Sequence, residues 1–343
     1  MPFEIVRNDI TNMQVDAIVN AASRFPRVNA GVDLAIHKKA GPRLLEARKE
    51  IGYIAPGSAA ITPGFDLDAS YVIHAATPTW MDGLRQEEDL LCRAYGACLE
   101  LALRNGCSSI AFPLLASGNH GFPKQKALQA AIRVFSEFLM EHDLQIFLVV
   151  FGKESVALSE KLVHSVTRYI DENYVAEYEL ESRRVSNRRT PPENFPVLRS
   201  RRSECLSAPC APTPCDKAFA ECSLEEFIRG KDAGFTETLL SLIQKKGLKN
   251  SAVYKKANIS KQHFSKILND PGVKPSKQTA IALALALELD LEGTRDLIGR
   301  AGYALTNSST FDLIIRYFIE RRNYNVLEIN IALYEFDQSL LGA

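Results

Sequence analysis

Polar side chains able to do chemistry lie close together between Val15 and Gly41, in the stretch VDAIVNAASRFPRVNAGVDLAIHKKAG. The residues of interest are Asn20, Ser23, Asn29, Gly31 and Asp33. A carboxylate can orient or deprotonate a water molecule, and neighbouring amides and hydroxyls can hold a polar ligand. The set therefore predicts a binding site, whatever its ligand is.

A second candidate loop follows the apolar run Ile110–Leu115 and reads Ala-Ser-Gly-Asn-His-Gly over residues 116–121. Its glycines, Gly118 and Gly121, allow backbone N–H groups to approach an anion closely. This loop is a candidate phosphate cradle.

The flanking residues predict the elements that position both loops. The apolar run Ala17–Val19 is typical of a buried strand, and Val32–Ala40 of a helix whose free N–H groups suit an anion. Further strands alternate with helices as far as about residue 170. This alternation predicts a mainly parallel or mixed sheet covered on both faces, with ligands bound outside the carboxyl ends of the strands.

Four blocks of this region, in order, resemble the macrodomain family, the ADP-ribose-binding module. They are DAIVNAA at Asp16–Ala22, GVDLAIHKKAG at Gly31–Gly41, PGSAAITPGFDLDASYVIHAATPTW at Pro56–Trp80 and SIAFPLLASGNHGFPKQKA at Ser109–Ala127. The resemblance covers about the first half of the chain and implies a three-layer α/β/α fold.

The resemblance also implies roles for individual residues. Adenine is expected near Asp9, Ile10 and Phe151. The pyrophosphate is expected against Gly31, Val32, Ser117, Gly118, Asn119, His120 and Gly121. The distal ribose and any catalysis are expected at Asn20, Ser23 and Asp33. The other reading of Asp9 is that it only caps a turn.

The chain departs from the family pattern at two places beside the predicted catalytic residues. Ser23 stands where the family has a second Asn, and only Gly31 remains of a loop that is usually four glycines. Ser offers one hydroxyl in place of an amide, so it replaces only some of the contacts. We therefore expect a binder with weak or specialised hydrolysis of ADP-ribosyl or acyl-ADP-ribose esters, dependent on Asp33. A silent ADP-ribose reader and an ADP-ribose-sensing transcriptional regulator are the alternatives.

Composition sets the wider limits. The net charge is zero, and the chain has no leader-like N-terminus and no apolar run long enough to span a membrane. These features predict a cytoplasmic protein without a membrane partner. No His and Cys residues have metal-ligand spacing, so neither a metal nor another cofactor is expected.

We predict three regions, a macrodomain over 1–175, a linker over 176–230 and an all-α domain over 231–343. The linker is rich in Pro, Ser and Arg and cannot build a packed face, so it is expected to be disordered. The last region is expected to form a separate helical bundle.

Part of this bundle, Ser251–Gly302, resembles the phage-repressor type of helix-turn-helix. The predicted second helix turns Lys261, Gln262, His263 and Lys266 outward, which suits a major groove. Lys245–Lys277 contains nine lysines and one acidic residue, Asp270. Such a stripe fits phosphate contact. A solvated face that binds protein is an equally supported alternative, and apolar residues after Gly302 would suit a partner or a homodimer.

Overall fold

The computed structural model describes residues 2–118, 120–150, 165–170, 233–270 and 273–342. The expectations for Asn119, Phe151 and the linker at 176–230 lie outside these residues.

A six-stranded mixed sheet forms the centre of the N-terminal part. Its strands are β1 (Phe3–Arg7), β2 (Ala17–Ala22), β3 (Ala59–Pro63), β4 (Tyr71–Ala76), β5 (Ser109–Pro113) and β6 (Gln145–Val150). They lie in the order β1-β6-β5-β2-β4-β3, and every pairing is parallel except that of β3 with β4. The carboxyl ends of the parallel strands β1, β2, β5 and β6 therefore meet at one edge.

Helices cover both faces of this sheet. They are α1 (Val32–Ala40), α2 (Pro42–Ile51), α3 (Glu87–Arg104) and α4 (Lys124–Glu141). Apolar residues of α3 and α4 pack on one face in a cluster that includes Phe112 and Phe135, whereas α1 and α2 pack on the other through Ile36 and Leu44. This arrangement confirms the predicted α/β/α architecture.

The C-terminal part is helical, as predicted. Its helices are α5 (Phe235–Lys245), α6 (Asn250–Lys256), α7 (Lys261–Asn269), α8 (Lys277–Ala286), α9 (Leu291–Arg300), α10 (Thr310–Glu320) and α11 (Val326–Glu335). The buried helix α8 lies in its core. Residues 165–170 are also helical, and their Val166 and Ile170 belong to this same apolar cluster.

The helical part packs directly against the α/β part, a contact that the sequence does not predict. The turn between α6 and α7 places Asn258 at the edge strand β1. Asn258 Oδ1 accepts from Phe3 N–H at 2.9 Å, and Asn258 Nδ2 donates to the Phe3 carbonyl at 2.9 Å. In addition, Leu327 and Ile331 of α11 complete the apolar cluster under the sheet. The two parts therefore share buried surface.

Across the described parts of the chain, no helix combines the length and the apolar character needed to cross a membrane.

Candidate functional site

The loops predicted to carry chemistry meet at one edge of the sheet. The loop after β2 leads into α1, and the loop after β5 contains Ser117 and Gly118. The turn after β1 brings Asp9 and Ile10 to the same edge. Because these strands run parallel, their following loops converge as the sequence predicts.

The loops enclose a groove of three adjoining compartments. The first has a volume of about 470 Å³ and is lined by Asp9, Ile10 and Val150 among others. The middle one, of about 230 Å³, shares Gly31 and Ser117 with the first. The third, of about 430 Å³, shares Asn29 and His120 with the middle one. The third compartment is lined by Ser23, Arg24, Phe25, Arg27, Asn29, Thr79 and His120.

Asp9 both caps a turn and lines the first compartment. Its Oδ1 accepts from the backbone N–H and the hydroxyl of Thr11, at 2.9 Å each, and so starts the 3₁₀ turn Ile10–Asn12. A carboxylate has acceptor sites beyond these two, so capping leaves it able to accept from a ligand. The two readings of Asp9 are thus compatible in this geometry.

Backbone amides and short side chains line the middle compartment. Gly31 precedes α1 with a φ of 75°, a conformation that favours glycine, and no side chain caps the helix. The N-terminal amides of α1 are therefore free of a side-chain cap beside the compartment. On the opposite side, Ser117 and Gly118 line it, whereas Gly121 N–H donates to the Gly118 carbonyl at 2.9 Å and closes the turn.

Asp33 lies at the wall of the middle compartment, 2% exposed. Its Oδ1 accepts from Asn20 Nδ2 at 2.6 Å, and its Oδ2 accepts from Asn29 N–H at 2.6 Å. His37 Nε2 lies 3.4 Å from Oδ1. The carboxylate thus fixes the loop between β2 and α1, which contains Asn29.

Asn20 is fully buried behind Asp33 and pairs in register with His74 of β4. Asn20 Nδ2 lies 3.2 Å from His74 Nδ1, and His74 Nε2 lies 3.0 Å from the hydroxyl of Thr62. Because an amide nitrogen only donates, Nδ1 of His74 must accept and its proton sits on Nε2. This hydrogen-bond chain holds Asn20 and, through it, Asp33.

Burial keeps the imidazole of His74 neutral. It lowers the pKa of His74 to about 3, helped by the positive charge of Arg48 and by His37. The pKa of His37 is also lowered, chiefly by burial, although the charge of Asp33 opposes the shift. Neither histidine is placed to act as a ligand, since both lie behind the wall of the groove.

Ser23 lies in the third compartment and is held by two arginines, Arg27 and Arg48, that no sequence motif indicates. Its Oγ accepts from Arg27 Nε at 3.1 Å. Its carbonyl accepts from the buried guanidinium of Arg48 at 3.0 Å, and the same guanidinium donates to the carbonyls of Arg24, at 3.3 Å, and Gly52. Arg48 lies on α2, between the sequence block that ends at Gly41 and the one that begins at Pro56. Only its contacts in the folded structure identify it.

The structure thus brings most of the predicted site residues to one groove. Those lining it are Asp9, Ile10, Gly31, Val32, Asp33, Ser117, Gly118, His120 and Ser23. Asn20 stands behind Asp33. In the helical part, Lys261, Gln262 and Lys266 of α7 are exposed as predicted, and His263 is half-buried.

The N-terminal part of the chain is similar to known proteins. A family profile described as Macro domain matches residues 19–131. The O-acetyl-ADP-ribose deacetylase of Enterobacter sp. (strain 638) is 43% identical over 166 residues, which cover 47% of this chain and 92% of that protein. The corresponding deacetylase of Salmonella typhimurium is 41% identical over 166 residues, covering 47% and 93%.

Solved structures are also similar to this part of the chain. The Oceanobacillus iheyensis macrodomain with MES bound has 35% identity, with 45% of this chain and 85% of that chain covered and a TM-score of 0.43. The Trypanosoma brucei macrodomain in complex with ADP-ribose has 34% identity, with coverages of 45% and 66% and a TM-score of 0.42.

Proposed function

The chain belongs to the macrodomain family through its N-terminal part, and from this premise we propose that it binds ADP-ribose and hydrolyses esters carried on the distal ribose. The observation that carries the proposal is the groove of three adjoining compartments at the carboxyl edge of the sheet. The relatives' name, O-acetyl-ADP-ribose deacetylase, supports this ligand and an ester as substrate.

Each compartment suits one portion of ADP-ribose. The first offers apolar Ile10 and Val150 for the adenine ring and the Asp9 carboxylate for its amino group. The middle compartment offers the amides that start α1, beside Ser117 and Gly118, to the pyrophosphate. The distal ribose then reaches Asp33 and the third compartment.

Catalysis in this proposal depends on Asp33. A water molecule held by its carboxylate attacks the ester carbonyl, the acyl–oxygen bond breaks, and the ribose hydroxyl takes up a proton. Asn20 and the amide of Asn29 keep the carboxylate in place. Ser23 supplies fewer contacts than the Asn of the family pattern, so turnover is expected to be weak or specialised.

Hydrolysis of O-acetyl-ADP-ribose and of an ADP-ribosylated carboxylate substrate tests this proposal. Asp33→Ala should remove turnover, a loss of about 10²–10⁴-fold, while ADP-ribose binding persists. Ser23→Asn should raise turnover. Asp68→Ala, which removes an exposed carboxylate, is the matched control. Fast wild-type turnover that Asp33→Ala leaves unchanged would show that this mechanism is wrong.

For the helical part, we propose contact with DNA through the lysines around α7. Of the nine lysines in Lys245–Lys277, four are engaged inside the described structure, namely Lys246, Lys255, Lys256 and Lys277. The remaining five, Lys245, Lys249, Lys261, Lys266 and Lys274, are exposed. Exposed cations on and beside one helix favour phosphate contact.

Binding of the full chain to duplex DNA at several salt concentrations tests this second proposal. The affinity should fall steeply with salt, and Lys261→Ala with Lys266→Ala should flatten the slope by about one unit for each lost phosphate contact. Lys49→Ala, an exposed lysine of α2, should leave the slope unchanged. Retention that is absent or independent of salt would favour a protein partner instead.

A further inference from the structure

The third compartment is cationic. Arg24 and Arg27 line it, and the other lining residues, which include Ser23 and Thr79, carry no carboxylate. Both arginine side chains are exposed, and neither forms an ion pair with any residue in the parts of the chain that the structure describes. The compartment therefore presents two guanidinium charges that can pair with an anionic ligand.

The backbone that carries these arginines is held in place. The buried guanidinium of Arg48 donates to the carbonyls of Ser23 and Arg24, at 3.0 and 3.3 Å. Arg27 Nε donates to Ser23 Oγ at 3.1 Å, which orients the guanidinium and leaves its two terminal nitrogens for another acceptor. A planar guanidinium anchored through Nε is suited to pair with a carboxylate.

The positive field extends to the boundary with the middle compartment. His120 lines both compartments, and its pKa is lowered by burial and then by the charge of Arg24, although a hydrogen bond at Pro78 opposes the shift. The imidazole is therefore uncharged at neutral pH and adds no charge to those of Arg24 and Arg27. A ligand that reaches past Asp33 enters a site dominated by Arg24 and Arg27.

The chemistry of an acetyl ester does not use these charges. An acetyl group is small and neutral, whereas the compartment has a volume of about 430 Å³ and two guanidinium groups that form no ion pair with any described residue. A longer acyl group ending in a carboxylate would fill more of the space and pair with the arginines. Charge-assisted bonds of this kind are about twice as strong as neutral ones.

We propose that the third compartment is an anion subsite that selects acyl groups bearing their own carboxylate, that is, monoesters of dicarboxylic acids on the distal ribose of ADP-ribose. The inference rests on the proposed hydrolysis. Water adds to the ester carbonyl and the acyl–oxygen bond breaks, so the products are ADP-ribose and the dicarboxylate, with the ribose hydroxyl protonated. Arg24 and Arg27 hold the distant carboxylate and take no part in the bond changes.

The test compares O-succinyl-ADP-ribose with O-succinamoyl-ADP-ribose, whose terminal amide has the same shape and no charge. The wild-type chain should show a kcat/KM about tenfold or more in favour of the succinyl ester, and the preference should shrink as salt rises. Arg24→Gln combined with Arg27→Gln should bring the ratio to about one. Arg43 is an exposed arginine of α2 that pairs with Asp66, and Arg43→Gln should leave the ratio as in the wild type.

The two proposals fail in different ways. If neither ester is hydrolysed, the proposed hydrolysis is wrong. The binding affinities of the two intact esters are then compared in place of their kcat/KM values. If the wild-type chain treats the charged and neutral esters alike by that measure, the anion subsite is overturned. A preference that survives in the double arginine variant, with its fold verified by circular dichroism, overturns it as well.

Discussion

The buried amide of Asn258 offers a direct way to measure how far the two parts of the chain stabilise each other. Its side chain is 1% exposed and bonds both to the N–H and to the carbonyl of Phe3, on the edge strand β1. Removing it leaves two buried backbone groups without these partners. At about 1–3 kcal/mol for each of the two unpaired groups, the expected loss in the free energy of unfolding is about 2–6 kcal/mol.

The backbone of Asn258 adds a second, separable contribution. Its φ is 57°, in the left-handed region that Asn and Gly tolerate and Ala does not. Asn258→Gly should therefore show only the loss of the side chain. Asn258→Ala should be less stable than Asn258→Gly by about 1–2 kcal/mol. This pair of variants separates the hydrogen bonds from the backbone strain.

Denaturant unfolding followed by tryptophan fluorescence can locate the effect, because Trp80 is the single tryptophan and packs against Phe122 in the α/β part. We expect both Asn258 variants to lower the midpoint of the Trp80 transition. Far-UV circular dichroism follows the helices in parallel. A Trp80 transition that is unchanged in Asn258→Gly, while the helical signal shifts, would refute the idea that this contact stabilises the macrodomain.

Two further predictions follow from buried groups near the groove. His74 has a pKa of about 3 when folded and about 6.5 when unfolded, so the unfolded chain binds a proton that the folded chain excludes between these values. The free energy of unfolding should fall as the pH drops below 6.5, by up to about 1.4 kcal/mol per pH unit. In His74→Gln it should fall less steeply. Equal slopes of unfolding free energy against pH for the wild type and the variant, from about pH 6.5 to 5, would contradict this. Arg48→Ala leaves the carbonyls of Ser23, Arg24 and Gly52 without their charged donor and should lower stability by about 3 kcal/mol or more, with partial recovery in Arg48→Lys, as thermal unfolding can measure.

The sequence predicts much of the fold because the relevant signals are local. The apolar runs Ala17–Val19 and Ile110–Leu115 and the helical pattern Val32–Ala40 correspond closely to the observed β2, β5 and α1. The groove is also predictable, since parallel strands deliver their following loops to one edge. Asp33 and Gly31 can be recognised there from their types and spacing alone.

What the sequence does not predict depends on contacts between distant residues. Asn258 meets Phe3 across most of the chain, and nothing in the local pattern of either residue indicates the partner. Arg48 looks like an ordinary exposed helix residue until α2 packs beside the loop after β2. Asn20, expected near the distal ribose, is fully buried and donates to Asp33, a contact that depends on its position beside His74 of β4.

Titration of the full chain with ADP-ribose by calorimetry tests the central claim most directly. We expect saturable binding, weakened by about 1.5–3 kcal/mol in Asp9→Ala, because the variant loses a charged hydrogen-bond acceptor in the first compartment. Asp66→Ala removes an exposed carboxylate outside the groove and should bind like the wild type. Absence of binding heat at millimolar ADP-ribose, or equal affinities for the wild type and Asp9→Ala, would contradict the assignment of the groove to this ligand.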